Sequence, residues 1–195
     1  ANTTASLNTA IGYLALTEAT TASQNVAVGA YALDAATTGG FNTACGTAAL
    51  GSNTEGQLNT AVGRSALNAN TVADGNTAVG YDALTDNTTG TNNVGVGAYA
   101  LGTQTTASNN TALGRSALAA NTSGTENTGS GAYALTANTT ASYNTAMGYA
   151  ALYTNTTGAA NTAVGRSALY TNNADNNTAI GQRALFSNTT GESNV

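Results

Sequence analysis

An Asn returns every seventeen residues along this chain, at Asn8, Asn25, Asn42, Asn59, Asn76, Asn93, Asn110, Asn127, Asn144 and Asn161. The next falls one residue early, at Asn177, and the phase recovers at Asn194. Each Asn opens the same phrase, Asn-Thr-Ala-Val-Gly-x-x-Ala-Leu-x-x-Asn-Thr-Thr-Gly-x-x. Residues 1–195 are therefore one tandem array, with repeats starting at 8, 25, 42, 59, 76, 93, 110, 127, 144, 161 and 177 and a further one beginning at 194. A fixed period of this kind is the mark of a solenoid, in which each unit buries its apolar face only by stacking on its neighbours. No room is left for a separate globular domain.

The length of the repeat selects the kind of solenoid. Helical repeat families need two helices per unit and run to roughly 33 residues or more, so seventeen residues is too short for them. It suits one coil of a β-solenoid, which adds a rung at about 4.8 Å. Eleven rungs give a rod on the order of 50 Å long. The apolar content is mostly Ala, Val and Leu, with two Phe, nine Tyr and no Trp, which makes a thin core. The expected fold is mainly β, a parallel β-solenoid (β-roll or β-helix) of eleven repeats. The segment between the Gly corner and the next turn, such as Gly63 to Asn70, reads equally as strand or as one short helical turn.

Numbering each repeat from its Asn, position one is Asn, position five is Gly (Gly12 through Gly181) and positions eight and nine are Ala and Leu in all eleven full copies. Gly is expected where φ is positive or where another backbone comes too close for a Cβ, so position five marks a corner after a short strand. The Leu column, Leu16 to Leu185, is the main core anchor, each buried Leu contributing about 1.5–3 kcal/mol. In Asn25-Val26-Ala27-Val28-Gly29 and Asn93-Val94-Gly95-Val96-Gly97 the second position becomes Val, which places positions two and four together on the apolar face by the period-two rule. Position three then points the other way. It is Ala in nine repeats and Gly at Gly95 and Gly129, so something sits close to it: a second copy of the chain, packed along the strands in a homotrimer, or the opposite wall of its own narrow coil. Poverty in large apolar residues favours the oligomer. Replacing Ala112 by Leu is expected to disturb either arrangement. Cys45 takes a place usually held by Val or Ile and reads as a small buried apolar residue.

Position twelve and its followers are turn chemistry, as in Asn87-Thr88-Thr89-Gly90 and Asn155-Thr156-Thr157-Gly158. Asn accepts a left-handed conformation and bonds its own backbone, and identical Asn side chains on successive coils can stack as an amide ladder. Sequons at Asn87, Asn121, Asn138, Asn155 and Asn188 would place glycans along one edge, though an Asn- and Thr-rich turn generates them as by-products. The pair Arg-Ser recurs three repeats apart, at Arg64, Arg115 and Arg166. It reads as a three-repeat duplication or surface ion pairs, as an Arg stripe for an acidic ligand, or as a sign that three repeats make one turn of a wider coil.

The remaining chemistry is sparse. Four Arg, no Lys, no His and nine acids leave a net charge of −5. Nucleic acid is not an expected partner, because phosphate binding needs clustered cations. No stretch approaches the ~20 apolar residues of a membrane span; no signal peptide is read ahead of Ala1, and a secreted parent whose leader lies outside this segment is compatible with that. There is no His for a nucleophilic triad, no Cys/His cluster for zinc, no Gly-rich loop with Lys for phosphate and no recurrent Asp for calcium. No catalytic, cofactor-binding or metal-binding residue is assigned, and no cofactor is expected.

The phrase Asn-Thr-Ala-Val-Gly-x-x-Ala-Leu followed by Asn-Thr-Thr-Gly resembles the tandem repeats of phage tail-fibre-like and bacterial surface proteins, over essentially all 195 residues. Its strand portion, as in Asn59-Thr60-Ala61-Val62-Gly63, is similar to the head repeat of trimeric autotransporter adhesins, a left-handed parallel β-roll built as a homotrimer. These resemblances imply an extracellular fibre, on a cell surface or a virion tail, that self-associates as a homotrimer or end-to-end filament. Any cell-surface or glycan receptor would be met by parts outside this chain. The array opens and closes inside a repeat without a capping unit, so a segment of something longer, or subunits stacking end to end, is expected. Two functions follow: a non-catalytic shaft or adhesive spacer, and an ice-binding β-solenoid using ranks of Thr. Thr fills position two in nine repeats and position thirteen in ten. An inward position two and a turn location for position thirteen weigh against the second.

Overall fold

The computed structural model describes residues 4–195. Each repeat makes one coil and contributes one three-residue strand: β1 (Thr9–Ile11), β2 (Val26–Val28), β3 (Thr43–Cys45), β4 (Thr60–Val62), β5 (Thr77–Val79), β6 (Val94–Val96), β7 (Thr111–Leu113), β8 (Thr128–Ser130), β9 (Thr145–Met147), β10 (Thr162–Val164) and β11 (Thr178–Ile180). They form one parallel sheet in sequential order. Equivalent residues pair, as in Thr43 with Thr60, Ala44 with Ala61 and Cys45 with Val62. Register follows from the period, since a slip of one residue would turn every inward side chain outward. The Arg64, Arg115 and Arg166 column is thus three separate coils apart, at rungs about 14 Å from one another.

The strands are short because position five ends them. Gly29 has φ of 133°, and a Cβ there would lie 2.6 Å from the carbonyl oxygen of Gly46 on the next coil. The corner that follows is not a helical turn, and the described residues contain no helix. Positions seven and nine adopt the left-handed conformation, as at Ser65 (φ 55°) and Leu67 (φ 51°), and so does position seventeen, as at Leu58 (φ 59°). Left-handed backbone costs an L-residue about 1–2 kcal/mol. Each such residue also aims its N–H at a neighbouring coil: Ser65 donates to Thr47 at 2.9 Å, Leu67 to Ala83 at 3.0 Å and Leu58 to Gly40 at 3.2 Å. For Leu67 the burial of its side chain, about 1.5–3 kcal/mol, offsets the strain as well.

The core is a column of Leu at position nine against columns of Ala at positions three and eight. Leu33, Leu50, Leu67 and Leu84 are fully buried, as are Ala27, Ala44 and Ala61. Position three therefore packs on the opposite wall of its own coil. A Cβ on Gly95 would sit 3.3 Å from the Leu84 side chain and from the Ala100 carbonyl, which leaves room for Ala and nothing larger. The sequence expectation that positions two and four face inward is overturned. In β4 and β7 the middle residue is buried while Val62 and Leu113 are exposed, because the coil is too narrow to hold two branched side chains beside Leu. Cys45 is likewise exposed, not buried as the sequence led us to expect.

Two amide ladders line the interior. At position one, the Asn42 side-chain oxygen accepts from the Asn59 backbone N–H at 2.9 Å, and the Asn42 amide donates to the Gly56 carbonyl at 2.8 Å. The pattern repeats through Asn59, Asn76, Asn93 and beyond. At position twelve the Asn70 amide donates to the Asn53 oxygen at 2.8 Å and to the Ala73 carbonyl at 3.1 Å. Buried amides are tolerated where both ends are bonded, as at Asn42 and Asn70.

The position-twelve ladder breaks twice among the described residues. Where Gln104 replaces Asn, its Nε2 and the Asn87 Oδ1 below it are both buried without partners. We expect Gln104→Asn to rejoin the column and raise stability by about 1 kcal/mol, read as a shift in the urea midpoint at unchanged slope. The second break leaves the Asn155 oxygen unpartnered, next to the one-residue deletion before Asn177. There the Asn173 side-chain oxygen accepts from the Thr156 N–H at 2.7 Å, a bond that elsewhere goes to the Thr carbonyl of position thirteen, as from Thr54 to Thr71. The deletion is absorbed in the turn, and β10 and β11 stay in register.

Candidate functional site

Two surfaces of the rod carry side chains that the core does not use. The first is the strand face, formed by positions two and four. Parallel pairing stacks position two on position two and position four on position four at each rung, as Thr60 on Thr77 and Val62 on Val79, and no residue at these positions in any of the eleven strands is charged. Val62, Val96, Leu113 and Met147 are 37%, 36%, 41% and 48% exposed. Just before the buried Asn, position seventeen adds exposed Phe41, Leu58 and Tyr143. The face is uncharged at positions two and four but mixed, a Thr column beside a mainly apolar one broken at Ser130, and exposed apolar side chains gathered along one face ordinarily mark an interaction surface.

The second surface is the corner formed by positions six, seven, ten and eleven. Eight of the nine Tyr and all four Arg fall at positions six, seven and ten. Tyr153, Tyr170 and Phe186 stack face to face on successive coils with centroids 5.0 Å apart. Arg64 lies 5.5 Å from the Tyr81 ring centre and donates to its hydroxyl at 3.0 Å. The nearby Asp82 carboxylate, by accepting a hydrogen bond from that phenol, raises the Tyr81 pKa. Burial pushes the Asp34 carboxyl up, backbone N–H bonds oppose it, and the Glu18 charge raises it further. Two shallow cavities open on this corner. One, of about 320 Å³, is lined by Arg166, Ser167, Tyr170, Gln182, Arg183 and Phe186. The other, of about 290 Å³, has Asp82, Asp86 and Tyr99 in its wall.

Several sequence candidates land elsewhere. Asn87, Asn121, Asn138 and Asn155 are fully buried in the amide ladder, so these sequons present no side chain for glycosylation in the folded chain. The Thr hydroxyls of position thirteen are largely occupied, Thr54 donating to the Thr71 carbonyl at 3.2 Å and Thr88 to the Thr105 carbonyl at 3.0 Å. Among the described residues no three His, Cys, Asp or Glu side chains gather as a metal site, and no helix is long and apolar enough to cross a membrane. The Arg and Tyr columns of the corner were visible in the sequence once residues were aligned by coil position, a signal that the spacing of Arg-Ser pairs alone obscured. Comparisons of the chain with models of known families, with curated proteins and with solved structures find no match.

Proposed function

We propose that this chain is a structural repeat module of an extracellular fibre, on a cell surface or a virion, serving as a shaft or spacer and performing no catalysis. The observation that carries this reading is the strand face: an uncharged column of Thr, with Val26 and Val94, beside a column of Val, Ile, Leu and Met, with Cys45 and Ser130, running the length of the array at one coil per rung. A surface with a strict axial repeat is matched best by another with the same repeat, and a second copy supplies it. Lateral packing of copies along this face, as a trimer or another bundle, covers the strip and stiffens the rod. Small position three faces the chain's own core and takes no part in contacts between copies. The outward columns support self-association in its place.

Leu113→Glu tests the reading. Leu113 is exposed in the single chain, so the substitution is expected to change stability by no more than about 0.5 kcal/mol. In the assembly it sets a charge against an apolar neighbour, and sedimentation is expected to shift from an oligomer to a single chain. An unchanged sedimentation profile would remove the strand face from the account.

A second reading is favoured by one specific observation. Position two points outward, so Thr43, Thr60 and Thr77 form a regular column on a β-sheet rather than an interior rank. A regular outward column of Thr is the kind of array an ice-binding plane would use. Thermal hysteresis at millimolar protein supports this use, and freezing at the equilibrium melting point eliminates it.

A further inference from the structure

The corner surface is electrically divided along the rod. Up to Asp86, positions six, seven, ten and eleven carry Glu18, Asp34, Asp82 and Asp86 against Arg64 alone. From Ala98 onward the same positions carry Arg115, Arg166 and Arg183 and no acid. The two cavities follow this division with opposite charge, the basic one lined from positions six, seven and ten and the acidic one from positions seven, ten and eleven. The Asp82 and Asp86 cavity has a carboxylate wall, and the Arg166 and Arg183 cavity has two guanidinium groups.

The second cavity has the parts of a small ligand site. Arg183 is held over the Phe186 ring at 4.4 Å and Arg166 beside the Tyr149 ring at 5.9 Å, so both cations are positioned by aromatic contact. Neither is paired with a carboxylate among the described residues. An unpaired, ring-supported guanidinium presents a planar fork of donors suited to an oxyanion. Gln182 and Ser167 add an amide and a hydroxyl for hydroxyl-bearing partners, and the rims of stacked Tyr170 and Phe186 give an apolar wall. About 320 Å³ is at the small end of ligand pockets, a fit for one sugar ring. Two cations on a chain of net charge −5 suit a ligand with one oxyanion per residue better than a polyphosphate chain, which requires a dense row of cations.

We propose that the Arg166 and Arg183 cavity binds one oxyanion-bearing sugar residue of a glycan, with the guanidinium groups on its carboxylate or sulfate and Gln182 and Ser167 on its hydroxyls. This goes beyond the shaft reading and does not depend on it. The test is titration of the intact chain, followed by backbone amide NMR, with glucuronate, glucose 6-sulfate, glucose and inorganic sulfate as separate probes. Glucuronate or the sugar sulfate is expected to bind at least tenfold more tightly than glucose or sulfate alone, with shifts confined to residues 166–186, and the preferred probe identifies the oxyanion. Arg183→Gln and Arg166→Gln are each expected to weaken binding about tenfold, and Arg183→Lys to do so partially by removing the fork. Asp82→Asn, in the opposite cavity, should leave it unchanged. Equal response to glucose and glucuronate, inorganic sulfate matching the acidic sugars, or shifts spread over all four Arg overturns the proposal. So does salt-sensitive self-association abolished by the Arg variants, which would assign the patch to the acidic half of a second copy.

Discussion

Gly114→Ala is expected to lower stability by about 4 kcal/mol, the sum of a strained backbone and a steric collision of about equal weight. Gly114 has φ of 133°, and an added Cβ would stand 2.6 Å from the Gly131 carbonyl carbon and 2.8 Å from the Ala132 nitrogen, all backbone atoms that cannot swing aside. The Gly114 N–H also donates to the Val96 carbonyl at 2.7 Å, so the coil cannot rotate to relieve the contact without breaking an inter-coil bond. Gly181→Ala is the natural comparison. Its φ is nearly the same, at 130°, but a Cβ would meet nothing nearer than the Ala184 Cβ at 3.9 Å. Only the conformational part remains, about 1–3 kcal/mol. Urea unfolding followed by circular dichroism separates the two, and equal losses would show that the close approach contributes nothing.

The second large effect is expected from Asn93→Ala, in the middle of the position-one ladder. The substitution removes the acceptor of the Asn110 N–H at 2.9 Å and the donor to the Ala107 carbonyl at 2.9 Å, leaving both inside the rod. Each unsatisfied buried group costs about 1–3 kcal/mol, and a loss of about 3 kcal/mol or more is expected. Thr88→Val calibrates the ladder against the surface. It removes one hydroxyl bond, to the Thr105 carbonyl at 3.0 Å, at an exposed position, and about 1 kcal/mol is expected. Because each coil contacts only its neighbours, a weakened central coil divides the array. Asn93→Ala should therefore unfold in two steps where the parent unfolds in one, and a single sharp transition near the parent midpoint would contradict the role given to the ladder.

The architecture was legible because every copy meets the same physical demand. The period placed the strands, invariant Gly marked their ends, and the Leu column marked the core. The amide ladder followed from identical Asn side chains one rung apart. The direction of the strand faces did not follow. Period-two alternation groups positions two and four against position three, but it does not say which group is inside. Val26 and Val94 suggested that positions two and four were. The deciding factor is the width of the coil, which admits only Ala or Gly opposite Leu, and that emerges only when the chain closes on itself. The left-handed corner was equally hidden, since Leu, Ser, Tyr and Asn share its conformation and their inter-coil N–H bonds stabilise it. Among the candidate functional features, the two cavities required coils to be stacked before Arg166 could meet Arg183.

The proposed contact between copies along the outward strand face is tested most directly by the mass of the unmodified chain in solution. Light scattering across a hundredfold range of concentration is expected to give at least twice the 19.0 kDa of one chain. A mass of one chain throughout that range would contradict it.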